Sequence, residues 1–224
     1  MRILRFTFVA ILSLTAVHAR ADDDAATEIT NHGVSLLQQG KTSEAIDEFL
    51  KAIDLNPKNI AGRFQLAEIY KREGRLDEAI YHYEKIIKLA PQNTTAHNNL
   101  GVLYDNKGLS GDAIREFEAA LAIDPQNVQA AKNVEAAKKN QSIRDERERQ
   151  IAAARQTAEA KPDSPTAVYA LARTYAFYGD KQQALATLEK ALRLGYNDLA
   201  YVKVDAALES LRNDPDFQRL LARR

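Results

Sequence analysis

The chain is 224 residues long, 45% apolar and 28% charged, with 31 basic residues balanced by 31 acidic ones and no cysteine. Disulfides, thiolate metal sites and cysteine nucleophiles are thereby excluded. The even charge argues against a nucleic-acid partner, because phosphate binding draws on a basic surface that releases counterions.

Residues 1–21 read as a secretory leader. Arg2 and Arg5 form a positive start, Phe6 to Val17 is apolar except for Thr7, Ser13 and Thr15, and Ala19-Arg20-Ala21 supplies a small-x-small cleavage pattern. The apolar run is about a dozen residues, short of the roughly 20 that span a bilayer, so a cut between Ala21 and Asp22 is expected rather than a retained anchor. A leader with no lipidation cysteine suggests a periplasmic or secreted protein of a Gram-negative bacterium, with no transmembrane segment after cleavage and a small net negative charge.

From residue 26 onward one period organises the chain. Gly40, Gly74 and Gly108 are spaced 34 residues apart, as are Pro57, Pro91 and Pro125, Ala45, Ala79 and Ala113, and Phe49, Tyr83 and Phe117. Four residue classes in phase at this length predict helix-turn-helix units over about 26–59, 60–93 and 94–127. The alanine marks where two helices approach closely, and the aromatic four residues on faces the same side. The glycine reverses the chain and the proline closes the second helix. Asn59, Asn93 and Asn127 are placed to cap the helix that follows.

These columns resemble the tetratricopeptide repeat (TPR). The family's Leu-Gly-x-x-Tyr pattern appears as Leu100-Gly101…Tyr104, as Leu66-Ala67…Tyr70, and more weakly as His32-Gly33…Leu36. The family's large aromatic near the helix start is replaced by Ile29, Arg63 and His97. A fourth unit begins at Ser164-Pro165, a capping residue before a first-turn proline. Leu171-Ala172…Tyr175, Gly179, Ala184, Leu188 and Ala191 follow at the repeat's spacings, with Gly195-Tyr196 in place of the closing proline.

Residues 128–164 lack the turn glycine and the alanine and aromatic columns, which leaves either a degenerate repeat or a long connecting helix. Within them Arg144 to Arg149 alternate in sign, as a solvated helix face does, although a docking site is the functional alternative. From Asp198 the tail resembles the closing segment of many bacterial repeat proteins. Leu208, Leu211, Phe217, Leu220 and Leu221 are expected to cover the end of the array. The fold expected is all-α, a right-handed solenoid of antiparallel helix pairs, with residues 165–224 forming the fourth unit and a C-terminal helical cap.

Catalytic motifs are not found: there is no G-x-S-x-G elbow, phosphate loop or dinucleotide fingerprint. His32, His82 and His97 lack metal-ligand spacing and read as structural, His32 in a packed column, His82 before the packed Tyr83, and His97 in the aromatic slot. No metal, cofactor or catalytic residue is therefore assigned, and the carboxylates Asp22 to Asp24 read as a solvated end.

The resemblance implies a concave groove lined by the first helix of each pair. Carried onto this chain, it assigns Thr27, Thr30, Val34 and Leu37 in the first unit and Phe64, Glu68, Lys71 and Arg72 in the second. The third contributes Asn98, Val102, Asp105 and Asn106, and the fourth Tyr169, Arg173 and Phe177. Asparagines there suit an extended peptide backbone, cations suit carboxylates, and aromatics suit side-chain anchors. Thr27, Thr30 and Val34 do not supply the basic clamp that family members use on chaperone C-termini. The function implied is a non-enzymatic adaptor or scaffold of the cell envelope that binds a protein or extended peptide. The alternative is a self-assembling homo-oligomer, or a module presenting substrate to a separate enzyme.

Overall fold

A computed structural model of the chain describes residues 3–222, with side chains from Arg20 onward. Arg2 and the side chains of the apolar run in the expected leader lie outside the described residues. Among the described residues there is no strand, and no helix is long and apolar enough to cross a membrane. The chain divides into two compact units, 1–140 and 141–224.

The first unit holds three helix pairs: α1 (Ile3–Gln38) with α2 (Thr42–Leu55), α3 (Ile60–Arg72) with α4 (Leu76–Leu89), and α5 (Thr94–Asn106) with α6 (Ser110–Ile123). The first turns of α7 (Val128–Ala160) complete it.

Each pair is built by the columns seen in the sequence. Ala45, Ala79 and Ala113 are fully buried, and Phe49, Tyr83 and Phe117 fill the space beside them, each ring contributing about 2–3 kcal/mol by leaving water. At the end of α5, Gly108 adopts φ 79°. Its amide bonds the Asp105 carbonyl while the Leu109 amide bonds the Tyr104 carbonyl, 2.9 and 2.8 Å. This is the paired C-terminal cap that a left-handed residue makes possible. Gly40, Gly74 and Gly179 repeat the angle at 73–79°.

The caps follow the asparagines. The side chains of Asn59, Asn93 and Asn127 accept from the amides of Gly62, Ala96 and Ala130 at 2.7, 2.9 and 2.9 Å, satisfying donors that the helix start leaves open.

Residues 128–160 form one unbroken helix. Its beginning acts as the first helix of another repeat, with Ala130, Val134 and Ala137 buried and the last two packed with Ala113 and Phe117 of the preceding pair. Residues 145–150 are exposed on every side. They stay helical on local pairs such as Arg149 with Glu146 at 2.8 Å and Gln150 with Glu146 at 2.7 Å, so the alternating charges form a solvated turn of helix.

The second unit takes the remainder of α7, whose Ile151, Ala154 and Ala158 face α8 (Pro165–Phe177). Beyond α8 come α9 (Lys181–Arg193), α10 (Leu199–Val204), a 3-10 helix (Ala206–Leu211) and α11 (Pro215–Ala222). Leu208, Leu211 and Phe217 from the tail are buried in one cluster with residues of α8 and α9. They cover apolar surface that would otherwise end the array exposed.

Candidate functional site

In the first unit the helices α3, α5 and the start of α7 are tied side by side through polar contacts about one repeat apart. Glu68 gathers three polar contacts. Its Oε1 accepts from Lys71 Nζ at 2.7 Å, from Asn99 Nδ2 at 3.2 Å and from the Tyr83 hydroxyl. Asn99 Nδ2 also donates to Tyr83 Oη at 2.9 Å, and Phe64 meets the Tyr83 ring edge-on with centroids 5.3 Å apart.

Burial pushes the Glu68 carboxyl up, but the Lys71 ammonium and the Tyr83 hydroxyl outweigh it and hold the group below the usual glutamate range. Burial first, then Glu68, raises the Tyr83 phenol, so the phenol keeps its proton and remains a donor. Phe64, Glu68 and Lys71, expected from the sequence to form one groove row, are thus brought together around a side chain expected only in the core. The signal lay in the column itself: Tyr83 differs from Phe49 and Phe117 by the hydroxyl that reaches Glu68. Arg72 stands exposed at the end of the same row.

The α5 row leans on α7. Asn98 Oδ1 accepts from Asn133 Nδ2 at 2.9 Å, and Asn133 Oδ1 accepts from Gln129 Nε2 at 2.9 Å. Asp105 accepts from Ser110 Oγ at 3.2 Å and from Asn140 Nδ2 at 3.1 Å. Val102 is half-buried, while Asn106 is exposed. Asn133 and Asn140 went unassigned in the sequence because α7 lacks the repeat's later columns. Their signal is the position of Asn127, which sets α7 in register as another first helix.

On α1 the assignment divides. Thr27 is exposed, and its hydroxyl donates to the Asp23 carbonyl at 2.8 Å. Thr30 is a correction: it is buried, donating to the Ala26 carbonyl at 2.7 Å and accepting from Asn59 Nδ2 at 2.9 Å. It therefore joins two repeats instead of facing a ligand. Val34 and Leu37 are half-buried against the core.

In the second unit Tyr169 is only 3% exposed. Its hydroxyl donates to Asp205 Oδ2 at 2.8 Å, and its ring stacks on Tyr196 with centroids 4.0 Å apart. Arg173 Nε lies 2.5 Å from Asp205 Oδ2, and its guanidinium lies over the Tyr201 ring at 5.7 Å. Burial pushes the Asp205 carboxyl up, yet the Tyr169 hydroxyl, the Ala207 amide and Arg173 hold it below the usual aspartate range. Tyr169 and Arg173 are thus occupied by the chain's own tail, whereas Phe177 remains 69% exposed.

Among the histidines, His32 is a second correction. Its side chain is 61% exposed beside Glu48 at 3.5 Å, outside the packing expected of it. His97 is buried between Glu116 Oε2 at 2.7 Å and the Pro91 carbonyl at 3.0 Å. His82 is buried with no partner for Nδ1. Burial first, then the Arg63 charge, depresses it to about 4.

Comparison with known proteins agrees with the repeat architecture. The profile described as "TPR repeat" matches residues 33–74 and 67–108, and the one described as "Tetratricopeptide repeat" matches 94–127 and 165–195. Among solved structures, the MamA protein is similar at TM-score 0.50 and 21% identity, over 75% of this chain and 91% of that one. The first TPR of Spaghetti bound to an HSP90 peptide is similar at TM-score 0.49 and 23% identity, over 52% and 93%. The N-terminal domain of stress-induced protein-1 from C. elegans follows at 0.49 and 22%, over 53% and 98%. No curated protein matches the chain.

Proposed function

From a chain that belongs to the tetratricopeptide-repeat family, we propose a non-catalytic adaptor of the bacterial cell envelope that holds an extended protein segment against the first unit. One observation carries this reading. Phe64, Lys71, Asn98 and Val102 are half-buried, and Arg72 and Asn106 exposed, on helices α3 and α5, above a floor pinned by Tyr83, Glu68 and Asn99. Rigid side chains that still reach solvent bind with little further loss of entropy. Thr27, Thr30 and Val34 bring no cation to the first pair, so the segment is not recognised there by a terminal carboxylate.

Photo-crosslinking in cells from positions 64 and 106 tests the reading, with Tyr81 on α4, 51% exposed, as the control position. A partner captured from 64 and 106 and not from 81 is expected. Equal capture at all three positions defeats the assignment of the binding face.

A second reading, self-association, draws on the second unit, where Phe177 and Val204 are 69% and 68% exposed and Tyr201 41%. Sedimentation at rising concentration decides it. A persistent monomer removes the homo-oligomer.

A further inference from the structure

We propose that the chain pairs with a second copy of itself through α7, each copy laying the second half of that helix against the first half of the other. This rests on the self-association reading above but gives it a different seat, and it leaves the adaptor reading untouched.

The first half of α7 has an open face where the earlier pairs have a closed one. In α3 Arg63 and Ala67 are buried, and in α5 His97 and Gly101. The second helix of the pair does the covering, since His97 meets Glu116 at 2.7 Å and Gly101 lies under the Phe117 ring. One period on, Ala131 and Glu135 are exposed, as is Val128 a turn earlier. With Pro125 and Lys132 they line one open groove.

The helix that belongs there is present in the sequence but does not fold back. Gly40, Gly74 and Gly108 reverse the first three pairs, and the next position at the 34-residue step is Ser142. Serine takes left-handed angles only at a cost, so the helix continues through 142 without a turn. The counterparts of Ala113 and Phe117 are then Arg147 and Ile151. Arg147 is exposed, and Ile151 is half-buried beside α8. Both halves of a helix pair are thus left uncovered on one continuous helix. A second copy running antiparallel gives each half its complement, and the two-fold closes the assembly at a dimer.

Charge fixes the register. The Gly101 and Phe117 contact, moved one period along, sets Glu135 opposite Ile151 of the second copy, with the two-fold near residue 143. Arg147 and Arg155 stand one turn either side of that isoleucine on the same face. Glu135 therefore enters between two cations, where glycine admitted a ring in the earlier pairs. Lys138, one turn nearer the two-fold, is already paired with Glu118 at 2.8 Å.

The chain has no cysteine, so introduced thiols report alone. Glu135→Cys and Ile151→Cys, made as separate full-length variants and mixed under mild oxidation, should give a disulfide-linked dimer joining 135 to 151, with far less linkage in either variant alone. Sedimentation of the unmodified chain should show a dimer. Glu135→Arg and Arg147→Glu change exposed residues and should each weaken it at least about tenfold through facing like charges, and the two combined in one chain should recover most of the loss. Ser142→Gly restores the turn residue and should shift the dimer toward monomer. Phe177→Ser should change nothing. A persistent monomer overturns the self-association reading and this inference with it. A dimer that withstands both charge reversals and dissociates with Phe177→Ser overturns the α7 seat alone and returns self-association to the second unit. Linkage of 135 to itself as strong as to 151 overturns the antiparallel register.

Discussion

Gly101 lies where a β-carbon would come within 2.6 Å of the Phe117 ring, and Gly33 where one would come within 2.7 Å of Phe49. The aromatic of the second helix therefore packs directly on the backbone of the first. Gly101→Ala forces that ring or the helix to shift, and a loss of about 1–3 kcal/mol is expected from overpacking. Gly111 supplies the contrast, since a β-carbon added there would meet nothing within 4 Å. Gly111→Ala should gain up to about 1 kcal/mol through helix propensity. Urea unfolding of the two variants should give opposite signs. Equal losses would mean that the ring contact is not what selects glycine at 101.

The slot held by His97 shows a second residue-scale rule. His97 Nε2 lies 3.0 Å from the Pro91 carbonyl, and in the preceding repeat Arg63 Nη2 donates to the Pro57 carbonyl at 2.9 Å. Both side chains bond the turn that precedes their own helix. His97→Ala should cost about 1–2 kcal/mol by removing a part-buried hydrogen bond, while His97→Arg should recover most of it, as judged by the urea midpoint. If arginine is as damaging as alanine, the shared carbonyl contact is not the function of this column.

At the scale of elements, α4 carries a buried base between rings. His82 lies parallel to Tyr70 at 5.7 Å and edge-on to Tyr81 at 5.2 Å. Its value falls from 6.5 to about 4 on folding, with burial the larger cause and Arg63 the smaller. Between those limits the unfolded chain binds a proton that the folded chain does not, so stability falls as pH drops through the window. The full effect is roughly 3 kcal/mol, at 1.36 kcal/mol per unit. His82→Gln should flatten the loss of stability between pH 6.5 and 5, above the range where most carboxylates titrate. An unchanged slope in urea titrations would show that His82 is not the group responsible.

Elements differ in how far the sequence announced them. Turn glycines, closing prolines and capping asparagines act within a few residues, so the helix ends of the first three pairs were readable from spacing. The continuity of α7 was not, because residues 145–150 have no buried face and are held by pairs such as Arg149 with Glu146. Tyr169 was assigned to an open groove because an aromatic at that position looks the same whether a ligand or a tail covers it. Its partner Asp205 stands 36 residues away, in a segment without the repeat's columns. The Glu68 and Tyr83 contact was hidden for a similar reason, since one hydroxyl joins a core column to a surface row.

At the scale of the whole molecule, removal of the leader expected from the sequence would act on α1. The helix runs through the expected cut, and residues 20–24 are exposed, while Ala26 is the first described residue in the core. Loss of residues 1–21 would therefore remove none of the described packing. It would also place Asp22, Asp23 and Asp24 at the new helix start, where each carboxylate favours the helix dipole by about 0.3–1 kcal/mol. On the proposed cleavage the acidic triplet would take on a structural role only after processing. Intact-mass measurement on protein from the periplasmic fraction should return a chain beginning at Asp22. The processed chain should melt at a higher temperature than its Asp22→Asn, Asp23→Asn, Asp24→Asn triple variant, with the difference shrinking at high salt as the charges are screened. A full-length mass in the cytosolic fraction would overturn the envelope location, and equal melting temperatures would overturn the role of the triplet.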